Sequence, residues 1–328
     1  MKKIIILFLL VFLVGCTTEV DDTEPGVVYI GFMIHLEGWE DKVTGDVSEE
    51  VFNIWAERIR ELATLLEEHG AKGTFEARPE FVAASEKYGD NILLELYERG
   101  HGIGVHADKG GIGTYTKNYT VKQMVGEIKE MRLEMERVTG LDIRHVSGVC
   151  SEADWVKASI DAGYEFTTGN VAMCGLSLLE NNLPEGINKK YLLNNFHNIF
   201  PEDVEDRINP WRSTSGLDWL TAKDEGLVIL SSDGTIKSIY EQTYLGEHSG
   251  EFDEKDIETY IESLEKSLEL AKADEVNIFY VATSLGGGIP DEIGEDWLEA
   301  IEPYVEEGRV EWKTLPEMYD AFVELESS

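Results

Sequence analysis

The chain has 328 residues, with 65 acidic against 28 basic side chains and a formal net charge of −37. That balance excludes a nucleic-acid partner, because phosphate binding needs a basic footprint, and it excludes docking on an anionic lipid surface through charge. It implies a solvated, self-repelling surface and leaves the chemistry open.

Met1-Lys2-Lys3 precedes an unbroken apolar run over 4–14. The run is too short to span a bilayer at about 20 residues, but it suits the core of a signal peptide. Leu13-Val14-Gly15-Cys16 then resembles a lipobox, which implies a lipid on Cys16. Residues 1–16 therefore read as a lipoprotein leader and 17–25 as an acidic tether. Residues 26–328 read as a single domain, long enough to bury one large core. The protein is expected outside the cytoplasm, touching the membrane through the lipid anchor only. Cys150 and Cys174 remain, as one disulfide or as two buried thiols.

From 26 onward, strand-like apolar runs alternate with amphipathic stretches. Strands are expected over 27–33, 72–75, 102–105, 143–146 and 166–168. Helices are expected over 49–68, from 79 through 98, over 121–138, and from Ser151, with Asp154 as a capping partner. In the first helix, Trp55, Ile59, Leu62 and Leu66 form one stripe. An irregular, aromatic-rich insertion occupies about 169–226. The rhythm resumes with strands over 227–230, 276–283 and 310–312 and helices over 254–270, 295–305 and 315–325. Seven or eight such units in one domain predict an α/β fold, a TIM-like barrel, with chemistry at the carboxyl ends of the strands.

Those ends carry His35, Glu37 and Trp39, then Glu76 and Arg78, then His106 and Asp108 in Arg99-Gly-His-Gly-Ile-Gly-Val-His-Ala-Asp108, then Ser147, Asn170, Ser232, Asp233 and Ser284. Imidazoles and carboxylates thus gather at one end. Ser147 and Ser284 have no evident activating base, so a nucleophilic serine is not expected. Within the insertion, Trp211 and Arg212 follow the turn at Asn209-Pro210 and are the candidates for stacking on a sugar and binding its polar groups. The other insertion aromatics are expected to pack together. His101 reads as structural, and His145 as facing the helices.

Tyr29-Ile-Gly-Phe-Met-Ile-His-Leu-Glu37-Gly-Trp, Gly73-Thr-Phe, Gly100-His-Gly-Ile-Gly-Val-His106 and Arg144-His-Val-Ser-Gly148 resemble, in order and spacing, the motifs of the polysaccharide deacetylase family. The resemblance spans about 27–170. It implies a NodB-homology fold, a distorted (β/α)7 barrel, and metal-assisted removal of N- or O-acyl groups from a carbohydrate. It further implies that Glu37 and His106 bind a divalent metal, zinc by chemistry, and that Arg144 orients the base. Three departures stand out. His35 lies near the family's base aspartate, Gly110 occupies the place of the second ligand histidine, and no late Leu-x-His motif occurs near Thr283-Ser284-Leu285.

A zinc-type site needs about three N or O ligands and an open position for water. Glu37, His106 and either Asp108 or His35 supply them, with Asp108 assigned to the metal and His35 to the base; Asp108 also reads as shaping its glycine-rich turn. Trp39 and Glu76 are assigned to substrate contact. His197 and His248 are the candidates for the acid. Two other functions fit the same residues: a carbohydrate-binding relative that has lost the metal, and a glycoside hydrolase using Glu37 and Glu76.

Overall fold

Successive side chains of a strand point to opposite faces, and β1 (Val28–Leu36) applies that rule with different chemistry on each side. Val28, Ile30, Phe32, Ile34 and Leu36 belong to the core under the helices. Met33 faces the other way, into a second apolar cluster, and His35 follows it two residues on. This computed structural model describes residues 26–37, 47–108, 120–168, 171–195, 208–230, 254–284 and 291–328. The leader, the tether, Trp39, Gly110, Asn170, His197, Ser232, Asp233 and His248 lie outside them.

The further strands are β2 (Gly73–Ala77), β3 (Gly102–His106), β4 (His145–Ser147), β5 (Phe166–Thr167), β6 (Trp211–Ser213), β7 (Leu227–Ile229), β8 (Asn277–Ser284) and β9 (Val310–Trp312). They form one curled sheet in the order β6-β7-β5-β4-β3-β2-β1-β8, parallel except for β6. β9 pairs with Val28–Ile30 of β1, below the stretch from Phe32 to Leu36 that pairs with β2. The segment leading into β6 closes the curl, since Ile278 N donates to Ile208 O at 2.6 Å and Asn209 Nδ2 donates to Val276 O at 3.0 Å. The expected α/β barrel is present, distorted by the antiparallel edge strand and by β9.

Helices cover the outside: α1 (Glu49–Glu68), α2 (Pro79–Tyr88), α3 (Ile92–Glu98), α4 (Val121–Thr139), α5 (Trp155–Ala162), α6 (Lys189–Asn194), α7 (Glu254–Leu270) and α8 (Asp291–Glu306). The buried stripe of α1 is Phe52, Ala56, Ile59, Ala63 and Leu66. Trp55 is offset from it and only half-buried, with Arg58 over its ring at 5.0 Å. Asp154 caps α5, accepting from Lys157 N at 3.0 Å.

The last helix, α9 (Leu315–Ser327), lies on the inner face. Its Leu315 and Met318 pack on Met33, Phe166, Val228, Leu230, Ile278 and Tyr280, and Leu315 N donates to Thr74 Oγ1 at 2.8 Å. This apolar filling occupies the amino-terminal half of the interior, leaving the carboxyl ends of β1 to β4 for polar groups. Among the described residues, Trp211 and Trp219 of the insertion stack on each other, and Trp219 packs edge-on against Trp155 of α5. Trp155 and Trp219 are fully buried and both donate their ring N–H to Cys174 O, at 3.2 and 3.1 Å. Truncating such a ring typically costs about 3–5 kcal/mol. A Cys150–Cys174 disulfide ties the segment after β4 to this core, which decides between the two states left open by the sequence.

A candidate metal centre at the carboxyl ends of the strands

His35, Glu76, His106, His145 and Ser147 occupy inward positions on four adjacent strands, and Glu37 follows β1. Sheet register makes them neighbours: His35 is opposite Glu76, Glu76 opposite Gly104, and His106 opposite Ser147. The rings of His35 and His106 stack at 4.0 Å. Glu37 lies along one edge of the stack, 3.9 Å from His35 Nδ1 and 3.2 Å from His106 Nε2. Glu76 lies along the other, its Oε2 3.2 Å from His35 Nε2 and 3.7 Å from His106 Nδ1.

Ser147 donates its hydroxyl to Glu76 Oε2, and its oxygen lies 2.8 Å from His106 Nδ1. Beneath them His145 Nε2 is 3.3 Å from Glu76 Oε1 and 3.4 Å from Thr168 Oγ1. His145 is fully buried and stacked on Phe166 at 4.7 Å. Gly104 makes room for it, since a Cβ there would fall 2.3 Å from His145 Nδ1.

The charges follow from this packing. Burial opposes ionisation of Glu37, but His106, His35 and Arg78 outweigh it and hold the carboxyl at about 2. Burial likewise opposes the charge on Glu76, and its histidines keep it well below the usual carboxylate range. His106 resists its own desolvation because Glu37 and Glu76 flank it, and titrates at about 9. His145 is driven down to about 4 by burial, which outweighs Glu76, so it is neutral.

Among the described residues, His35, Glu37 and His106 form a group able to hold a metal, with donor atoms within 4.8 Å of one another. Two imidazoles and one carboxylate make a zinc-type donor set. The far nitrogen of His106 is bonded to the Ser147 hydroxyl, the outer support that ligating histidines have, and that of His35 lies 3.2 Å from the buried Glu76 carboxylate. The residues present therefore fit a divalent ion.

The placement differs from the sequence expectation at several residues. His35, expected as the base, stands in the ligand group. Asp108, expected as a ligand, faces Arg78 at 3.4 Å, is half-buried, and sits at φ +46° beside Gly148, where an added Cβ would meet Asp108 N at 2.5 Å. Arg144 precedes β4 at the filled end of the curl and pairs with Asp320 of α9 at 2.7 Å, so it cannot orient a group beside Glu37. Glu76, expected to touch substrate, is fully buried. Arg212 pairs with Glu326 at 2.8 Å, and Trp211 donates to Trp219 O at 2.7 Å, so both are engaged within the fold. His145 faces inward, away from the helices. His101 lies at the opposite end, accepting from Gly73 N at 3.2 Å.

The inner roles of His145 and Ser147 were missed. The signal was available: Thr74 and Glu76, Gly104 and His106, and His145 and Ser147 are each two apart, so each pair shares a face. Arg78 was noted only as a residue past a strand; it lies 3.4 Å from Glu80 as well as from Asp108.

Comparison with solved structures places this barrel among NodB-type folds. A protein from Pseudomonas aeruginosa PAO1 described as a polysaccharide deacetylase is 11% identical with a TM-score of 0.58, over 89% of this chain and 90% of that one. One from Mycobacterium smegmatis, described likewise, is 11% identical with a TM-score of 0.52, over 92% and 96%. The 4-alpha-glucanotransferase of Thermococcus litoralis is 17% identical with a TM-score of 0.52, over 91% of this chain and 41% of that one. No protein-family model and no curated protein sequence matches the chain. What is shared at these identities is the fold, the distorted (β/α) barrel of NodB-homology type.

Proposed function

We propose that the protein belongs to the polysaccharide deacetylases and removes an N- or O-acyl group from a carbohydrate by metal-assisted hydrolysis. The convergence of His35, Glu37 and His106 at the carboxyl ends of parallel strands carries the reading. These three residues hold the ion, zinc by donor chemistry. When bound, it polarises the acyl carbonyl and lowers the pKa of water. Asp108, half-buried at the rim and paired with Arg78, is the carboxylate left to take a proton. The leader with Cys16 and the Cys150–Cys174 disulfide support action outside the cytoplasm, at the cell surface.

The glycosidase alternative is disfavoured. Glu76 is fully buried and engaged by Ser147, so it has no path to a sugar carbon. The test is acetate release from acetylated glucosamine oligomers and acetylated xylan by zinc-loaded protein, chelated protein and Glu37→Ala. Release by the loaded wild type alone supports the reading. No release from any substrate overturns it, and oligosaccharide binding without release would establish the non-catalytic alternative.

A further inference from the structure

We infer that Glu76 is a positioning residue, a single buried carboxylate set against the far edges of both stacked imidazoles, beside His35 Nε2 and linked to His106 Nδ1 through the Ser147 hydroxyl, that decides which nitrogen each ring presents to Glu37. The inference rests on the proposed metal reading for its purpose, but its geometry stands apart from it. The His35 and His106 rings lie between two carboxylates, Glu37 on one edge and Glu76 on the other. They are turned in opposite senses: His35 offers Nδ1 and His106 offers Nε2 toward Glu37. A ring nitrogen that keeps its proton for an acceptor leaves the other nitrogen for a ligand.

Ser147 makes the link to His106 directional. Its hydrogen is given to Glu76 Oε2, so its oxygen, 2.8 Å from His106 Nδ1, is free only to accept. The Nδ1–H of His106 is thereby fixed and Nε2 is turned outward. On the other ring, Oε2 sits 3.2 Å from His35 Nε2. The carboxylate is itself braced from below, where His145 stands 3.3 Å from Oε1 in the space that Gly104 leaves. Glu76 is fully buried and has no contact with solvent. A buried charge is seldom a gain in stability over a well-packed apolar group, and the two rings it aims account for this one.

The experiment uses the full-length chain, its Glu76→Gln variant and its Ser147→Ala variant. Two readouts are taken: ring N–H proton resonances of the metal-free protein by NMR at one pH, where the charged His106 carries a proton on each nitrogen and the Nδ1–H is the one scored, and zinc affinity by chelator competition. The wild type is expected to show slowly exchanging, downfield ring protons on His106 Nδ1 and His35 Nε2. Glu76→Gln should lose both and bind zinc about 10–100-fold more weakly. Ser147→Ala keeps the buried charge and should lose only the His106 signal, which preserves the test if Glu76→Gln does not fold.

Unchanged ring protons in a folded Glu76→Gln variant, or an unchanged His106 signal in Ser147→Ala, would overturn the inference. So would zinc binding by Glu76→Gln at wild-type strength. Failure of the wild type to bind zinc would instead sink the metal reading, and the ring-proton comparison would still decide the role of Glu76.

Discussion

Raising the pH on metal-free protein is expected to remove stability that His106 supplies. The ring is almost entirely buried, which disfavours its charge, yet Glu37 at 3.2 Å and Glu76 at 3.7 Å hold it at about 9 against a reference of 6.5. A group whose folded pKa is raised contributes fully below its unfolded pKa, and the contribution is lost as the pH climbs through the folded value. The window therefore runs from about pH 6.5 to just above pH 9, and the shift corresponds to about 3 kcal/mol. Urea unfolding of chelated wild type and His106→Gln, compared from about pH 6 to about pH 10, measures it. The wild type should lose most of that amount across the range, and the variant little. Parallel curves would refute the ion-pair account of His106.

Because His106 is charged at neutral pH in the metal-free site, zinc uptake should release about one proton and tighten about tenfold per pH unit up to about pH 9; calorimetry in buffers of different ionisation enthalpy reads this. Gly104→Ala places a methyl 2.3 Å from His145 Nδ1, with His145 locked on Phe166. A destabilisation of about 1–3 kcal/mol and weaker zinc binding are expected, checked by thermal melting and chelator competition. Arg144→Ala removes a partly exposed pair with Asp320 and should cost no more than about 1 kcal/mol. Zinc affinity and any acetate release should be unchanged in it, whereas an orienting arginine would abolish activity.

The barrel was legible because strand and helix periods alternate over 27–168 and again from 227 onward, and because polar groups gathered past the strands on one side. Glu37 and His106 were readable from their places after apolar runs. That His35 and not Asp108 stands beside Glu37 and His106 was not readable, because spacing alone does not reveal a left-handed φ at residue 108, where the carboxylate faces Arg78. The surroundings of Arg144 were hidden for a different reason. It lies at the start of β4, and only the packing of α9 into that end of the curl shows that Asp320 claims it. Glu76 read as a rim residue, although its in-strand position opposite Gly104 buries it. The disulfide needed the fold, since its cysteines are 24 positions apart in the chain.

The central claim is that His35, Glu37 and His106 hold one divalent ion. Zinc stoichiometry after loading and dialysis, in the wild type beside His35→Ala, Glu37→Ala, His106→Ala and Asp108→Ala, tests it most directly. The account predicts about one equivalent in the wild type and in Asp108→Ala, and loss in the other three. No retained zinc in the wild type, or loss in Asp108→Ala with retention in His35→Ala, would contradict it.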